Sequence, residues 1–250
     1  MNTAAVKIAR ALSRNRFTQP RDYINKKDRL ANRLTHTTPS NAAVLLAYRR
    51  LVERGEIKKN PTLERGLRKR SIRTLSGVAP VTVITKPFSC PGKCAYCPNV
   101  AGMPKSYLPN EPAIMRAVRE KFDPYRQVRG RLQILYGNGH ATDKVELIIL
   151  GGTWSAYPKH YQAWFVKRCF DAANKKTLST LQSAQRLNER AHNRIIGISI
   201  ETRPEYVTED ELRFLRQLGV TRVEIGVQNI DDRVLLKNRR GHTVTATITA

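Results

Sequence analysis

Acidic residues are scarce in this chain: Asp and Glu total 20 against 45 Lys and Arg, a formal net charge of +25. A compact state so charged repels itself, and a surplus of this size is usual where a polyanion supplies the counter-charge. The scarcity is uneven, because residues 1–75 hold 19 Lys/Arg against 5 Asp/Glu. That asymmetry favours a nucleic-acid-binding surface, since an ordinary solvated basic face explains only a modest surplus. Aromatic residues are thin in the same third, where only Phe17, Tyr23 and Tyr48 occur. Gripping phosphates is therefore favoured over stacking many bases. Long apolar runs are missing too, which excludes a membrane-spanning helix, and the opening Met-Asn-Thr-Ala-Ala-Val-Lys has no signal-peptide core. Internal repeats and low-complexity tracts are absent.

Cysteine is rare as well, yet three of the four fall within eight positions, at Cys90, Cys94 and Cys97. The odd count argues against a disulfide framework. A closed structural zinc site wants four protein ligands, and the nearest histidine that could complete one, His140, is far along the chain. Three thiolates in Cys-x3-Cys-x2-Cys instead suit a cubane iron–sulfur cluster with three irons held by protein and one left for a ligand. Loading such a cluster needs reduced thiols, which points to a cytoplasm, more simply a prokaryotic one than a mitochondrial destination for the arginine-rich start. Cys169, in Trp-Phe-Val-Lys-Arg-Cys-Phe, reads as a core cysteine.

Apolar periodicity predicts a basic helical segment over 1–75 and a different regime from 76 to 250. In the first, Thr38-Pro39-Ser40-Asn41 starts a helix carrying Val44, Leu45, Tyr48, Leu51 and Val52, stopped at Gly55. A second short helix follows Asn60-Pro61 with Leu63 and Leu67 between basic residues. In the second regime, strands at 81–85, 145–150, 195–200 and 222–227 are separated by helices from about 111, at 158–174, at 178–192 and at 208–219. Strands alternating with helices imply parallel βαβ units, in which chemistry sits at the carboxyl ends of the strands. Each predicted strand end carries polar or glycine-rich sequence: the cysteine loop, Gly151-Gly152-Thr153, Glu201-Thr202-Arg203-Pro204, and Gln228-Asn229. All four would face one rim.

An open iron there can take the amino and carboxylate groups of S-adenosylmethionine, and electron transfer from the cluster can release a 5′-deoxyadenosyl radical. Gly151 and Gly152 suit a backbone that must approach a ligand closely, although Gly-Gly after a strand is often only a tight turn. Glu201 follows a buried strand, so its carboxylate suits a ribose hydroxyl or the methionine amine, with a salt bridge to Arg203 as the structural alternative.

On these residues the sequence resembles the radical S-adenosylmethionine enzymes and, within them, the family of the Elongator catalytic subunit. The resemblance begins at Leu67-Arg-Lys-Arg-Ser-Ile-Arg-Thr and runs to the last residues. It is carried by Cys-Pro-Gly-Lys-Cys-Ala-Tyr-Cys-Pro, Ser-Tyr-Leu-Pro-Asn-Glu-Pro-Ala-Ile-Met-Arg-Ala and Asp-Lys-Val-Glu-Leu-Ile-Ile-Leu-Gly-Gly-Thr-Trp. Ile-Gly-Ile-Ser-Ile-Glu-Thr-Arg-Pro-Glu-Tyr, Val-Glu-Ile-Gly-Val-Gln and Asn-Arg-Arg-Gly-His-Thr extend it. It implies an α/β fold: a partial parallel (β/α) barrel of about four strands over 76–250, preceded by the basic helical segment 1–75.

The implied activity is formation of 5-carboxymethyluridine at the wobble position of transfer RNA, with acetyl-CoA as donor. The implied site has Cys90, Cys94 and Cys97 on a 4Fe-4S cluster, and Gly151, Gly152 and Glu201 around S-adenosylmethionine. Lys144 contacts acetyl-CoA by resemblance alone; otherwise it is a solvated lysine flanking a strand. Arg65, Arg68, Lys69 and Arg70 would grip transfer RNA. The x3 spacing of the first two cysteines points to a prokaryotic member. The same resemblance predicts that the rest of the barrel and an acetyltransferase-like domain lie outside these residues, supplied by a separate chain if the enzyme is split. Other readings are a different radical enzyme, such as a methylthiotransferase or porphyrinogen oxidase relative, and a non-catalytic RNA-binding module with a structural cluster.

Overall fold

Side-chain caps start two of the four helices of the amino-terminal part. The structure, a computed structural model, describes residues 3–35, 37–69 and 71–250. Helix α1 (Thr3–Ser13) is followed by α2 (Pro20–Leu34), α3 (Asn41–Glu53) and α4 (Pro61–Leu67). Ser40 accepts a hydrogen bond from the Ala43 amide to start α3, and Asn60 accepts from Leu63 to start α4, satisfying amides that have no partner within their helices. Gly55 ends α3 in the left-handed region at φ 71°. The apolar faces of these helices bury Ile8, Leu12, Tyr23, Leu45, Tyr48, Leu51, Leu63 and Leu67 in one cluster. Each aliphatic side chain so buried contributes about 1.5–3 kcal/mol. The Tyr23 hydroxyl donates to Asn15 O (2.9 Å) and accepts from Asn60 Nδ2 (2.7 Å), so the phenol in this core has its polar end satisfied.

The remaining elements are β1 (Ala79–Ile84), α5 (Pro112–Arg119), α6 (Pro124–Gly137), β2 (Lys144–Leu150), α7 (Lys159–Asn174), α8 (Leu181–Asn188), β3 (Arg194–Thr202), α9 (Glu209–Leu218), β4 (Arg222–Ile225), α10 (Asp232–Lys237) and α11 (Val244–Thr249). The sheet is parallel with order β1-β2-β3-β4. The chain is thus α/β, as the alternation of patterns required. By contacts it divides into two compact units: the residues up to 79 with 132–142, and residues 80–131 with 143–250. The end of α6 and the loop after it therefore join the helical unit. In the other unit Val83, Val145, Leu147, Ile149, Ile198 and Ile200 are buried in the sheet, and Phe165, Val166 and Cys169 of α7 and Leu215 and Leu218 of α9 are buried beside them in sequence order. Cys169 is fully buried, and burial pushes its thiol pKa well up, as befits a core cysteine.

The sequence pattern did not predict α6. Its buried residues Val128, Leu132 and Leu135 recur at helical spacing, but Gly130 and Gly137 and the arginines at 126, 129 and 131 dilute the signal. Helix α5 stops early, because Lys121 and Phe122 both turn left-handed, at φ 54° and 55°, before Pro124 restarts the chain as α6.

One side chain of α6 matters to the sheet. Thr85 donates its amide to Leu150 O of β2 (2.9 Å), so the groups of the preceding residue point to the other side of the strand. There Gln127 takes them both: Ile84 N donates to Oε1 (2.8 Å) and Nε2 donates to Ile84 O (2.9 Å). Gln127→Leu leaves two buried backbone groups unpaired, each costing about 1–3 kcal/mol, so a loss of roughly 2–6 kcal/mol is expected. Urea unfolding followed by circular dichroism checks this, and an unchanged midpoint would mean the amide is dispensable.

Candidate functional site

The carboxyl ends of all four strands open into one cavity of about 320 Å³. Cys90, Cys94 and Cys97 enter it from the loop after β1, Gly152 and Thr153 follow β2, Glu201, Thr202 and Arg203 end β3, and Glu224, Gly226 and Gln228 come from β4 and beyond. Lys105, Ser106 and Tyr107, later in the cysteine loop, and Arg240, ahead of α11, complete the wall. The convergence of strand ends expected from the sequence is what the fold produces.

The cysteine loop has no regular structure and is held from outside. Cys97 N turns back onto Cys94 O (3.3 Å), and Ala95 N donates to Asn238 O (3.0 Å). The three thiols are half-buried and free of disulfides. Cys90 Sγ lies 3.5 Å from Thr153 Oγ1, and Cys97 Sγ lies 2.9 Å from Ser106 Oγ. Cys94 Sγ accepts from two guanidiniums, Arg240 Nη1 at 3.5 Å and Arg203 Nη1 at 3.7 Å. Burial opposes ionisation of Cys94, but the bonds from Arg240 and Tyr96 and the charges of Arg240 and Arg203 outweigh it, leaving its pKa below the usual thiol value.

Among the described residues, no three His, Cys, Asp or Glu side chains converge closely enough to hold a single metal ion. The thiols are instead arranged around a volume. His140 contributes nothing here: it is buried in the helical unit with Nδ1 2.9 Å from Thr74 Oγ1. Three free thiols lining one cavity, with hydrogen-bond donors at the sulfurs, are a donor set that suits an iron–sulfur centre.

The two glycines after β2 do different things. Gly151 (φ 131°) is buried, and a Cβ on it would overlap the Thr85 hydroxyl, so packing requires it. Gly152 (φ 57°) lines the cavity, and a Cβ there would meet no protein atom, so it is the one that exposes backbone to a ligand. Glu201 does not pair with Arg203, whose partner is Glu205. It accepts from Tyr107 Oη (3.5 Å) and stands in register with Glu224 across β3 and β4. Burial, followed by the neighbouring Glu224 charge, raises its pKa, while the Tyr107 hydroxyl works the other way. Two adjacent carboxylates suit an ammonium group or a diol.

Lys144 is exposed at the amino end of β2, away from the strand ends that form the cavity, beside Arg194 in register. Of the basic residues expected to bind RNA, Arg65 and Lys69 are exposed, while Arg68 is half-buried with its stem along Gly139. Arg70 lies outside the described residues. The helical unit has its own hollow of about 760 Å³, where Arg16, Phe17, Thr18, Lys58 and Lys59 meet. The sequence pattern assigns no site role to Arg16, Thr18, Lys58 and Lys59, nor to Tyr107, Glu224, Gly92 and Arg240 in the cavity. Arg240 stands in the Asn-Arg-Arg-Gly-His-Thr stretch, which was a signal without an assigned role.

The strand-end cavity with its three-cysteine loop lies within residues 84–250, which the model for the Radical SAM superfamily matches. The chain belongs to the radical SAM superfamily. Within it, the chain is similar to the tRNA uridine(34) acetyltransferase of Methanocaldococcus infernus, 50% identical over 190 residues that cover 74% of this chain and 36% of that one. The protein of that name in Dehalococcoides mccartyi is 47% identical over 177 residues, 71% of this chain and 39% of that one. Elongator complex protein 3 of Schizosaccharomyces pombe is 40% identical over 196 residues, 74% and 36% of the two chains. The solved structure of archaeal Methanocaldococcus infernus Elp3, with an N-terminal deletion of residues 1–46, matches with a TM-score of 0.57 at 40% identity, covering 69% of this chain and 34% of that one. The chain spans about a third of the length of the curated relatives it matches.

Proposed function

We propose that this chain provides the cluster and S-adenosylmethionine site, with an RNA grip, of an enzyme that forms 5-carboxymethyluridine at the wobble position of transfer RNA from acetyl-CoA. The observation that carries this is the cavity in which four strand ends meet three free thiols. Cys90, Cys94 and Cys97 would hold a 4Fe-4S cluster. When bound, the cluster and S-adenosylmethionine would supply a 5′-deoxyadenosyl radical able to take hydrogen from the acetyl methyl group.

The residues around them have separate tasks. Gly152 leaves backbone open to the cofactor, with Gly151 placing it against Thr85. Glu201, with Glu224 beside it, would accept hydrogen bonds from the cofactor's ribose or amine. Tyr107 fixes the Glu201 carboxylate by donating to it. Lys144 and its neighbour Arg194 form a basic pair suited to the phosphates of acetyl-CoA. Arg65, Arg68, Lys69 and Arg70, and the cations of the hollow in the helical unit, would neutralise RNA phosphates. Free thiols agree with a reducing, cytoplasmic setting.

The test is anaerobic reconstitution with iron and sulfide, then addition of reductant and S-adenosylmethionine, with 5′-deoxyadenosine read by chromatography and transfer-RNA binding by filter assay. Cleavage together with salt-dependent binding is expected. Cleavage with indifference to transfer RNA and acetyl-CoA would indicate another radical enzyme. Tight binding with no 5′-deoxyadenosine would indicate an RNA-binding module whose cluster is structural.

A further inference from the structure

We propose that Arg203 and Arg240 are positioning residues that hold the Cys94 corner of the cluster and set its reduction potential. This rests on the reading that Cys90, Cys94 and Cys97 bind a 4Fe-4S centre, and it goes further by making one corner of that centre electrostatically different from the others.

The difference lies in what touches each sulfur. Cys90 and Cys97 are met by the neutral hydroxyls of Thr153 and Ser106, while Cys94 Sγ receives two guanidiniums, at 3.5 and 3.7 Å. Both cations are fixed and largely out of water, with Arg203 5% and Arg240 8% exposed. Arg203 is clamped by Glu205 through Nε and by the Arg240 carbonyl through Nη2, which leaves Nη1 for the sulfur. Arg240 spends Nη2 on the Gly226 carbonyl (2.6 Å) and Nη1 on the sulfur.

The backbone is shaped around this pair. A Cβ on Gly92 would overlap the Arg203 guanidinium, one on Gly226 would lie 2.8 Å from Arg240 Nη2, and one on Gly241 would lie 3.1 Å from Arg203 Nη2. Three glycines, two of which (Gly92 and Gly226) line the cavity themselves, thus make room for two buried charges at one thiolate. Burying cations is costly unless they face fixed negative charge. Glu205 offsets part of the Arg203 charge, but the other bond of Arg240 is to a neutral carbonyl. The compensating charge for Arg240 is therefore the thiolate and whatever the thiolate holds. Hydrogen bonds and positive charge at cluster sulfurs favour the reduced state, which carries one more negative charge, and so raise the potential. Arg240, the less compensated cation, has the larger share.

The experiment is an anaerobic potentiometric titration of the reconstituted 250-residue chain, followed by electron paramagnetic resonance and accompanied by iron analysis. Arg240→Gln is expected to move the midpoint to more negative potential, Arg203→Gln to move it the same way by less, and Arg240→Lys to stay nearest to wild type. An Arg240→Gln protein with full iron and an unmoved midpoint overturns the proposal, as does an equal shift in the Gln and Lys variants. If Arg240→Gln loses its iron while Arg240→Lys keeps it, charge at the Cys94 corner is upheld; if both lose it alike, the role is packing and the proposal fails. A wild-type chain that takes up no iron overturns the cluster reading and this inference together, whereas a loaded wild type with unshifted variants overturns the inference alone.

Discussion

Cys94→Ala is expected to abolish the visible absorbance of the reconstituted cluster and the formation of 5′-deoxyadenosine, while leaving transfer-RNA affinity largely intact. Alanine removes one of three thiolates, and with it the group that compensates the buried Arg240 charge, so the loss falls on the site and not only on one ligand bond. The basic residues assigned to RNA belong to the helical unit, and Cys94 to the other. Absorbance, iron content and product formation give three readings of the same loss. Cys169→Ala is the control: that thiol is buried in the core, so its removal should cost on the order of 1 kcal/mol of stability and no iron. Loss of RNA affinity in step with loss of iron would mean that the cluster and RNA surfaces are not separate.

Reversing charge in the helical unit should give the opposite pattern. Arg65→Glu, Lys69→Glu and Arg70→Glu are each expected to weaken transfer-RNA binding on the order of tenfold at physiological salt, since each replaces a released counterion by a repulsion. The slope of log K against log salt should flatten by about one per lost phosphate contact. Iron content and S-adenosylmethionine cleavage should not change. Arg68→Glu is a less clean probe, because its half-buried stem packs along Gly139 and the variant would lose stability as well as charge. Binding curves that are unmoved at low salt would remove these residues from the RNA grip.

Local signals carried a good part of the fold. The cap at Thr208 and the glycine at 219, the β-branched run before Glu201 and the cysteine spacing each act over a few residues, and each is found where the sequence pattern put it. What local signals cannot carry is register and distance along the chain. Glu224 becomes a neighbour of Glu201 only once β3 and β4 are aligned. Arg240 reaches Cys94 across 146 residues, and nothing in a spacing pattern announces that pairing. The Gly151-Gly152 pair shows the same limit at close range. Both were read as making way for a ligand, but the pleat sends them to different neighbours, Gly151 against Thr85 and Gly152 toward the cavity. Lys144 is where the pattern put it, at the amino end of β2, but its role came from the motif match alone.

The amide of Gln127 gives the sheet a terminus. By imitating the backbone of a neighbouring strand at Ile84, it occupies the place a further strand would need on that side of β1. Extension of the sheet is therefore one-way, and additional strands can register only against β4. A ring closing back onto β1 would have to expel Gln127 and forfeit both of its bonds. The edge of β1 at Ile84 is thus closed by a side chain, so that this edge offers neither amide nor carbonyl at that residue to a neighbouring strand.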